Sequence, residues 1–170
     1  MKNPTPKKIG IGLSLSSLEL LQVLQTREFI DHIWIPSKAL SKTGNKPKGL
    51  MLGPIVEVLA SNWTKVSAFY FIGSVSAVVR LVAPFLTNKE DDPAVLVLDA
   101  KCLHVIPLIG THFAGAEELA LQLSQELGAN PAITGDSRTQ GRLALDAFGE
   151  GWGWQRSGKI EDWSELMHIQ

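Results

Sequence analysis

Three short segments combine glycine with hydroxyl or imidazole side chains just before a predicted helix. These segments are residues 12–16, 73–76 and 110–115. The first backbone N–H groups of a helix have no intrahelical acceptor, so they can bind an anion or an oxyanion that develops during a reaction. The candidate binding residues in these segments are Ser14, Gly73, Ser74, Ser76, Thr111 and Gly115. Ligands of open α/β sheets bind beyond the carboxyl ends of strands. We therefore expect the three segments to line one crevice.

His112 is the residue whose type and position most directly indicate catalysis. It lies between an apolar strand and a helix start, and a neutral imidazole there could act as a general base. Glu117, in the first turn of that helix, could orient the ring or carry a proton, although acidic residues there also complement the helix dipole. Arg80, in the helix after the second segment, could hold a carboxylate through two hydrogen bonds. A structural loop histidine and a surface salt bridge remain the alternatives for His112 and Arg80.

The other ionisable residues do not form a recognisable metal site. His32, His104 and His168 have no metal-ligand spacing with one another or with Cys102, the single cysteine. We therefore expect no protein-bound metal and no internal disulfide. No glycine-rich phosphate loop is present, and Gly10-Ile11-Gly12 lacks the third glycine of a dinucleotide fingerprint.

Charge and hydropathy exclude two classes of partner. The chain of 170 residues has 16 Lys and Arg against 17 Asp and Glu, a formal net charge of -1. This balance lacks the basic footprint of a nucleic-acid-binding protein. No apolar run approaches the length of about 18 residues that spans a membrane, and the polar start has no secretory signal pattern. We expect a cytoplasmic protein without a nucleic-acid or membrane partner.

Strand-length apolar runs alternate with helical stripes along the chain. The predicted strands are residues 9–15, 29–35, 66–72, 94–98, 103–109 and 132–134. The predicted helices follow Ser16, Pro54, Gly73 and Gly115. Residues 99–102 are too few for a crossover, so the two strands that they join should pair as an antiparallel hairpin. The alternation predicts an α/β fold, a Rossmann-like three-layer sandwich with a mainly parallel sheet and one antiparallel hairpin.

Composition also suggests where the domain ends. We expect one α/β domain over residues 1–148 and a Trp- and Gly-rich connector over residues 149–170. The connector carries Trp152, Trp154 and Trp163, which could fold back on the domain or contact a partner. Residues 37–49 have the composition of a solvated loop, although their lysines could also meet anionic groups of a substrate. These lysines are Lys38, Lys42, Lys46 and Lys48.

Several motifs resemble the N-terminal domain of the cobalamin-biosynthesis protein CbiG, the cobalt-precorrin-5A hydrolase. They are FIGSVSAVVRLVAPFL at 71–86, DPAVLVLD at 92–99, PLIGTHFAGAEELA at 107–120 and LGANPAIT at 127–134. With the opening strand and helix, the resemblance covers most of residues 8–150. In the tail, LDAFG at 145–149, GWQRSG at 153–158 and Asp162-Trp163 are similar to the junction at which this domain precedes a fused precorrin-3B C17-methyltransferase.

The resemblance implies a role in the anaerobic route to vitamin B12. The family's hydrolase opens a δ-lactone on a contracted cobalt macrocycle and releases acetaldehyde. The cobalt is carried by the corrinoid substrate, so no further cofactor is implied. In this chain His112 would activate water with Glu117 as its partner, and Arg80 would hold a substrate carboxylate. Backbone N–H groups near Gly73, Ser74 and Gly115 would stabilise the oxyanion.

The alternative is a non-catalytic corrinoid-binding or docking module. Its partner would be a precorrin-3B C17-methyltransferase or the CbiG C-terminal domain. Thr111, Ala114 and Glu117 favour this alternative, because the family commonly has two glycines and an asparagine at these three positions. The retained His112 and Arg80 favour the enzyme.

Overall fold

The computed structural model describes residues 7–37 and 46–134, and within them the chain forms a seven-stranded sheet. The strands are β1 (Lys7–Gly12), β2 (His32–Trp34), β3 (Leu50–Met51), β4 (Val66–Ile72), β5 (Ala94–Leu98), β6 (His104–Ile109) and β7 (Asn130–Pro131). The helices are α1 (Leu18–Thr26), α2 (Ile55–Asn62), α3 (Val75–Val82) and α4 (Ala116–Leu127), with single 3-10 turns at Leu15–Ser17 and Ala83–Phe85.

The strand order in the sheet is β3-β2-β1-β4-β5-β6-β7. All neighbouring pairs are parallel except β5 and β6, which are antiparallel. The chain moves outward from β1 through β2 to β3, then returns to the other side of β1 with β4. The predicted mainly parallel sheet with one antiparallel hairpin is therefore confirmed.

Helices cover both faces of the sheet and give the predicted three layers. Strand β4 is apolar on both faces, as a central parallel strand must be. Tyr70 and Ile72 join the core cluster that contains Leu21 and Leu24 of α1 and Ala120 and Leu123 of α4. Phe69 and Phe71 join the cluster beneath α2 and α3, where the Trp63 and Phe69 rings stack 5.5 Å apart.

Several element boundaries differ from the predictions. Strand β2 is limited to three residues because residues 27–31 complete the turn after α1, in which the Phe29 amide donates to the Leu24 carbonyl. Strand β3 has too few residues to produce an apolar period, so sequence patterning missed it. The last strand precedes its predicted position and pairs Asn130 with His104. Helix α1 begins after a 3-10 turn, and no side chain caps it.

Some predictions concern residues outside the described ranges. They are the roles of Lys38 and Lys42, the domain boundary at residue 148, and the connector at residues 149–170 with its three tryptophans. Within residues 7–37 and 46–134, no helix is long and apolar enough to cross a membrane.

The sheet has two ends with different loops. We call the end at which β1 to β5 finish the carboxyl edge, and the opposite end the amino edge. The order of the strands places the topological switch point between β1 and β4, and a ligand crevice is expected outside the carboxyl ends there. Because β6 runs antiparallel to β5, the loop after β6 lies at the amino edge.

Candidate functional site

An open cleft of about 600 Å³ lies at the carboxyl edge beside the switch point. Its walls come from the loops after β1 and β2 and from helices α2 and α3. The lining residues are Leu13, Trp34, Pro36, Ile55, Ser76, Ala77, Arg80 and Leu81. Most of these side chains are apolar, so the cleft suits a ligand with a large apolar surface and a few polar groups.

Gly73 allows the two loops at the switch point to pack closely. A Cβ atom at this position would lie 2.8 Å from Leu13 Cδ1 and 3.1 Å from Leu13 Cβ. The Leu13 amide donates to the Ile72 carbonyl at 3.1 Å, which fixes the loop after β1 against the end of β4. Gly73 is therefore needed for packing, and Leu13 rather than Gly73 presents a side chain to the cleft.

The serines of the carboxyl edge hold these loops in place. Ser74 is the N-cap of α3, and its hydroxyl accepts a hydrogen bond from the Ala77 amide at 3.4 Å. Ser14 is exposed, and its hydroxyl lies 2.9 Å from that of Ser16 and 3.1 Å from that of Ser17. Ser17 is buried and donates to the Ile72 carbonyl at 3.4 Å. Sequence patterning missed Ser17, because only its burial shows its role.

Arg80 supplies the positive charge of the cleft. Its side chain is exposed and lines the cleft together with Ser76. It forms no hydrogen bond or ion pair with any residue in 7–37 or 46–134; the ion pairs of those ranges are Arg27 with Glu126 and His104 with Asp99. The guanidinium is thus available to a carboxylate on a bound ligand.

Backbone donors are arranged differently from the prediction. The Gly73 amide donates to the Leu98 carbonyl at 3.0 Å, and the Gly115 amide donates to the His112 carbonyl at 3.2 Å. These two amides are therefore occupied within the protein, and an oxyanion would have to bind to neighbouring amides. The amides of Ser74, Val75 and Ser76, at the start of α3, have no acceptor in the described part of the chain.

The loop that carries His112 lies at the other end of the sheet. Ile109 pairs with Val95 at the start of β5, and a Cβ atom on Gly110 would lie 3.1 Å from the Pro93 carbonyl oxygen. Strand β5 separates the two edges by about 13 Å, at about 3.3 Å per residue. The expectation that all three segments line one crevice is therefore wrong, because the antiparallel turn after β5 sends the third segment to the amino edge.

The candidate site residues consequently form two groups. Ser14, Gly73, Ser74, Ser76 and Arg80 belong to the carboxyl edge, whereas Thr111, His112, Gly115 and Glu117 belong to the amino edge.

The structure does not join His112 to Glu117. The His112 side chain is half-buried and forms no hydrogen bond or ion pair with another described residue. Glu117 is 3% exposed, and its amide lies 3.4 Å from the Thr111 carbonyl oxygen. No hydrogen bond between Glu117 and His112 is found among the described residues, and the catalytic roles of both residues stay predictions.

The hairpin between β5 and β6 brings Asp99 to the carboxyl edge, in addition to the serines and Arg80 described above. The Asp99 carboxylate accepts hydrogen bonds from the amides of Lys101 and His104 at 2.9 and 2.7 Å. Its Oδ2 atom lies 3.5 Å from His104 Nδ1, and the His104 side chain is exposed. Burial, followed by the charge of Asp99, raises the pKa of the Cys102 thiol, which disfavours the reactive thiolate.

Asp92 is a buried carboxylate for which the sequence analysis proposed no role of its own. It is 6% exposed and accepts from Trp63 Nε1 at 3.0 Å and from the Thr87 hydroxyl and amide. These donors satisfy the charge and fix the segment before β5, so Asp92 has a structural role. Within the described residues, no group of three His, Cys, Asp or Glu side chains could hold a metal ion.

The strand order and the cleft at the switch point define an open α/β domain with a cleft at the carboxyl edge. Residues 57–137 match the family model described as cobalamin synthesis G N-terminal. The matched range includes Arg80 and His112 but not Ser14. Residues 57–137 are thus similar to the N-terminal domain of this family, as the motifs predicted.

Curated relatives agree with this family. The chain is 38% identical over 102 residues to the cobalt-precorrin-5A hydrolase of Priestia megaterium, and 40% identical over 86 residues to that of Salmonella typhimurium. These matches cover 60% and 51% of this chain and 27% and 24% of the relatives. The matched part of the chain therefore spans about a quarter of the length of these relatives.

A solved structure shares the fold. It is the crystal structure of a cobalamin biosynthesis protein G homolog from Sulfolobus solfataricus, with a TM-score of 0.55 and 24% sequence identity. The match covers 75% of this chain and 36% of the homolog. The predicted α/β fold is thus shared with about a third of this homolog, which is a longer chain.

Proposed function

We propose that this chain acts in cobalamin biosynthesis by binding a cobalt-precorrin in the cleft at the carboxyl edge, as the N-terminal part of an enzyme that opens the lactone of cobalt-precorrin-5A. The family match and the two hydrolase relatives support the pathway and the substrate class. The observation that carries the binding mode is Arg80, a guanidinium without an ionic partner among the described residues, on the rim of an apolar cleft.

The chemistry of the substrate matches that of the cleft. A cobalt-precorrin is a flat macrocycle with an apolar ring system and several carboxylate side chains. Leu13, Trp34 and Ile55 offer apolar surface to the ring, and Arg80 can bind one carboxylate through two hydrogen bonds. The cobalt enters with the corrinoid, so the proposal needs no metal ligand from the protein.

Lactone opening needs a nucleophile and oxyanion donors. The oxygen of one water molecule forms a bond to the lactone carbonyl carbon, the ring C–O bond breaks, and the alkoxide leaving group is protonated. A ligand in the cleft would have the free amides of Ser74, Val75 and Ser76 nearby as donors to the tetrahedral oxyanion. The freed alcohol then loses its O–H proton and becomes the carbonyl of acetaldehyde, its C–C bond to the macrocycle breaks, and the ring carbon takes up a proton.

The position of His112 favours a second candidate function. His112 lies at the amino edge, at the opposite end of β5 from the cleft. In the binding mode proposed above, it would therefore not contact a ligand that Arg80 holds. The chain would then be a corrinoid-binding module whose catalytic base comes from another domain. The CbiG C-terminal domain and a precorrin-3B C17-methyltransferase are the two partners that we propose for this case.

A binding experiment tests the role of Arg80. Anaerobic titration of the chain with cobalt-precorrin-5A, followed by macrocycle absorbance, should give saturable binding that weakens about tenfold in Arg80→Ala, because one charge-assisted contact of about 1.4 kcal/mol is lost. Arg27→Ala is the matched control. Arg27 follows the end of α1, pairs with Glu126 of α4 and does not line the cleft. Equal affinities of the two variants would contradict the proposed site.

An acetaldehyde assay on the same samples separates the two functions. Release of acetaldehyde that is lost in His112→Ala and kept in His104→Ala would identify a self-sufficient hydrolase with His112 at its centre. Binding without acetaldehyde would identify the binding module. Full turnover in His112→Ala would exclude this histidine as the base.

A further inference from the structure

The hairpin between β5 and β6 places a carboxylate and an imidazole opposite each other at the carboxyl edge. Val97 pairs with Ile106, and both pack in the core cluster beneath α2 and α3. Asp99 lies two residues beyond Val97, and His104 lies two residues before Ile106. Because side chains alternate between the two faces of a strand, Asp99 and His104 lie on the face of the sheet that α2 and α3 cover.

The Asp99 carboxylate is fixed by backbone amides and faces one nitrogen of the imidazole. Its Oδ1 atom accepts from the Lys101 amide at 2.9 Å, and its Oδ2 atom accepts from the His104 amide at 2.7 Å. The same Oδ2 atom lies 3.5 Å from His104 Nδ1, and contacts of this kind commonly shorten when a substrate binds. A carboxylate beside Nδ1 favours a proton on that nitrogen, so Nε2 is left as an acceptor. Nε2 has no hydrogen-bond partner in residues 7–37 or 46–134.

The start of α3 lies between this pair and the cleft. The Gly73 amide donates to the Leu98 carbonyl at 3.0 Å, which fixes the start of α3 beside the end of β5. The amides of residues 74–76 have no acceptor in the described part of the chain, and Arg80 lines the cleft from the next turn of the same helix. At about 4.8 Å per strand, His104 on β6 is about 10 Å from the end of β4.

We propose that His104 is the general base of lactone opening in this chain and that Asp99 is its positioning residue. This inference rests on the proposed function, because it needs the substrate at the carboxyl edge. The carboxylate side chains and the lactone of a cobalt-precorrin both lie on the rim of the macrocycle, so one molecule can contact Arg80 and His104 at the same time. His112 lacks this access, because it lies at the amino edge.

Each proton in the step has a defined origin and destination. His104 Nε2 takes a proton from a water molecule while the water oxygen forms a bond to the lactone carbonyl carbon. The amides of residues 74–76 donate to the oxyanion that develops. The ring C–O bond then breaks, and the imidazolium returns the proton to the leaving alkoxide. The base is regenerated, and one water molecule has been added to the lactone.

Separate measurement of rate and affinity tests the base. The full chain is incubated anaerobically with saturating cobalt-precorrin-5A, acetaldehyde release gives the rate, and macrocycle absorbance gives Kd. We expect His104→Ala to lower the rate at least about 100-fold and to change Kd by less than about threefold. Free imidazole should restore part of this rate, because it replaces the missing base. Leu103→Ala is the matched control and should keep the rate, because Leu103 is the 53% exposed neighbour in the same hairpin.

A double variant tests whether Asp99 acts through His104. Asp99→Asn should lower the rate about tenfold at unchanged Kd, because an amide no longer favours the Nδ1 proton. Adding Asp99→Asn to His104→Ala should slow the reaction no further, since the imidazole on which Asp99 acts is already absent. Circular dichroism at the assay pH verifies that each variant is folded. Independent, multiplicative losses in the double variant would overturn the positioning role.

The remaining outcomes separate this inference from the proposed function. A wild-type chain without saturable binding would refute both. Binding by the wild type without acetaldehyde release would leave the binding site standing and overturn His104 as the base. The same holds for full release in His104→Ala, whether or not His112→Ala loses it.

Discussion

At the scale of single residues, the hydroxyl groups of Tyr70 and Thr87 differ in whether they have a hydrogen-bond partner. The Tyr70 hydroxyl is buried and has no hydrogen-bond partner in the described structure. Burial, followed by the charge of Asp31, raises the pKa of Tyr70. The Thr87 hydroxyl instead donates to the buried Asp92 carboxylate at 3.0 Å. An unpaired buried polar group costs stability, whereas a hydrogen bond to a charged group contributes to it.

Removal of these two hydroxyls should therefore have opposite effects. We expect Tyr70→Phe to raise the free energy of unfolding by about 1 kcal/mol, and Thr87→Val to lower it by about 1 to 2 kcal/mol. Urea unfolding followed by circular dichroism measures both changes. A loss of stability in Tyr70→Phe would show that the hydroxyl has a partner.

Asp99 gives the hairpin a pH dependence. Burial acts to raise the pKa of its carboxyl. Hydrogen bonds from the amides of His104, Lys101 and Leu103, together with the charge of His104, outweigh burial and hold this pKa below its ordinary value of 3.8. A depressed pKa contributes stability at higher pH that is lost as the pH falls through the folded-state value.

Comparison with Asp99→Asn isolates this contribution. Above the ordinary pKa the wild type should be more stable than the variant, and the difference should shrink as the pH falls from about 5 to about 2.5. Urea midpoints across this range provide the measurement. A difference that stays constant with pH would remove the carboxylate as its source.

At the scale of elements, α4 begins after two glycines in the left-handed region that differ in their surroundings. Gly110 has φ of +69°, and an added Cβ would lie 2.8 Å from Ala114 Cβ. Gly115 has φ of +70°, with no atom within 4 Å of an added Cβ. The conformational strain of an alanine is thus similar at both positions, and the steric conflict exists only at Gly110.

The variants Gly110→Ala and Gly115→Ala should separate the cost of backbone strain from the cost of steric overlap of the added Cβ. We expect Gly115→Ala to cost about 1 kcal/mol of stability from strain, and Gly110→Ala to cost about 1 to 3 kcal/mol more because the β6–α4 loop must move. Urea unfolding compares the pair directly. Equal losses would indicate that the loop has room to adjust.

At the scale of the whole molecule, one sheet forms part of both core clusters. Phe71 on β4 packs under α2 and α3, and Leu96 on β5 packs under α1 and α4; both are 0% exposed. Strands β4 and β5 have buried residues on both faces. Loss of the helices on one face therefore exposes apolar surface of the same strands against which the helices on the other face pack. The two layers should therefore unfold together.

Truncation in either layer tests this cooperativity. We expect Phe71→Ala to cost about 3 to 5 kcal/mol and Leu96→Ala about 2 to 5 kcal/mol, each with a single transition in which near- and far-ultraviolet circular dichroism coincide. Leu52→Ala should change stability by less than about 0.5 kcal/mol, because Leu52 is exposed. Two separate transitions in either core variant would contradict the shared sheet.

The sequence by itself determined the fold class, the antiparallel hairpin and the similarity of residues 57–137 to the cobalamin synthesis G N-terminal family. These follow from local information: apolar runs of strand length, helical stripes, a four-residue link between two strands, and motifs around Arg80 and His112. It also identified the serines and the arginine of the carboxyl edge, because ligand sites of parallel sheets follow strand ends.

Only the tertiary structure decided which of these residues lie together. The direction of β6 moved His112 and Glu117 to the amino edge, and hydrogen bonds to the Leu98 and His112 carbonyls occupied the amides of Gly73 and Gly115. Burial distinguished Ser17 and Asp92 from the other polar residues of their turns. The physical reason is that strand order, hydrogen-bond partners and burial depend on contacts between residues distant in the chain, which local periodicity does not encode.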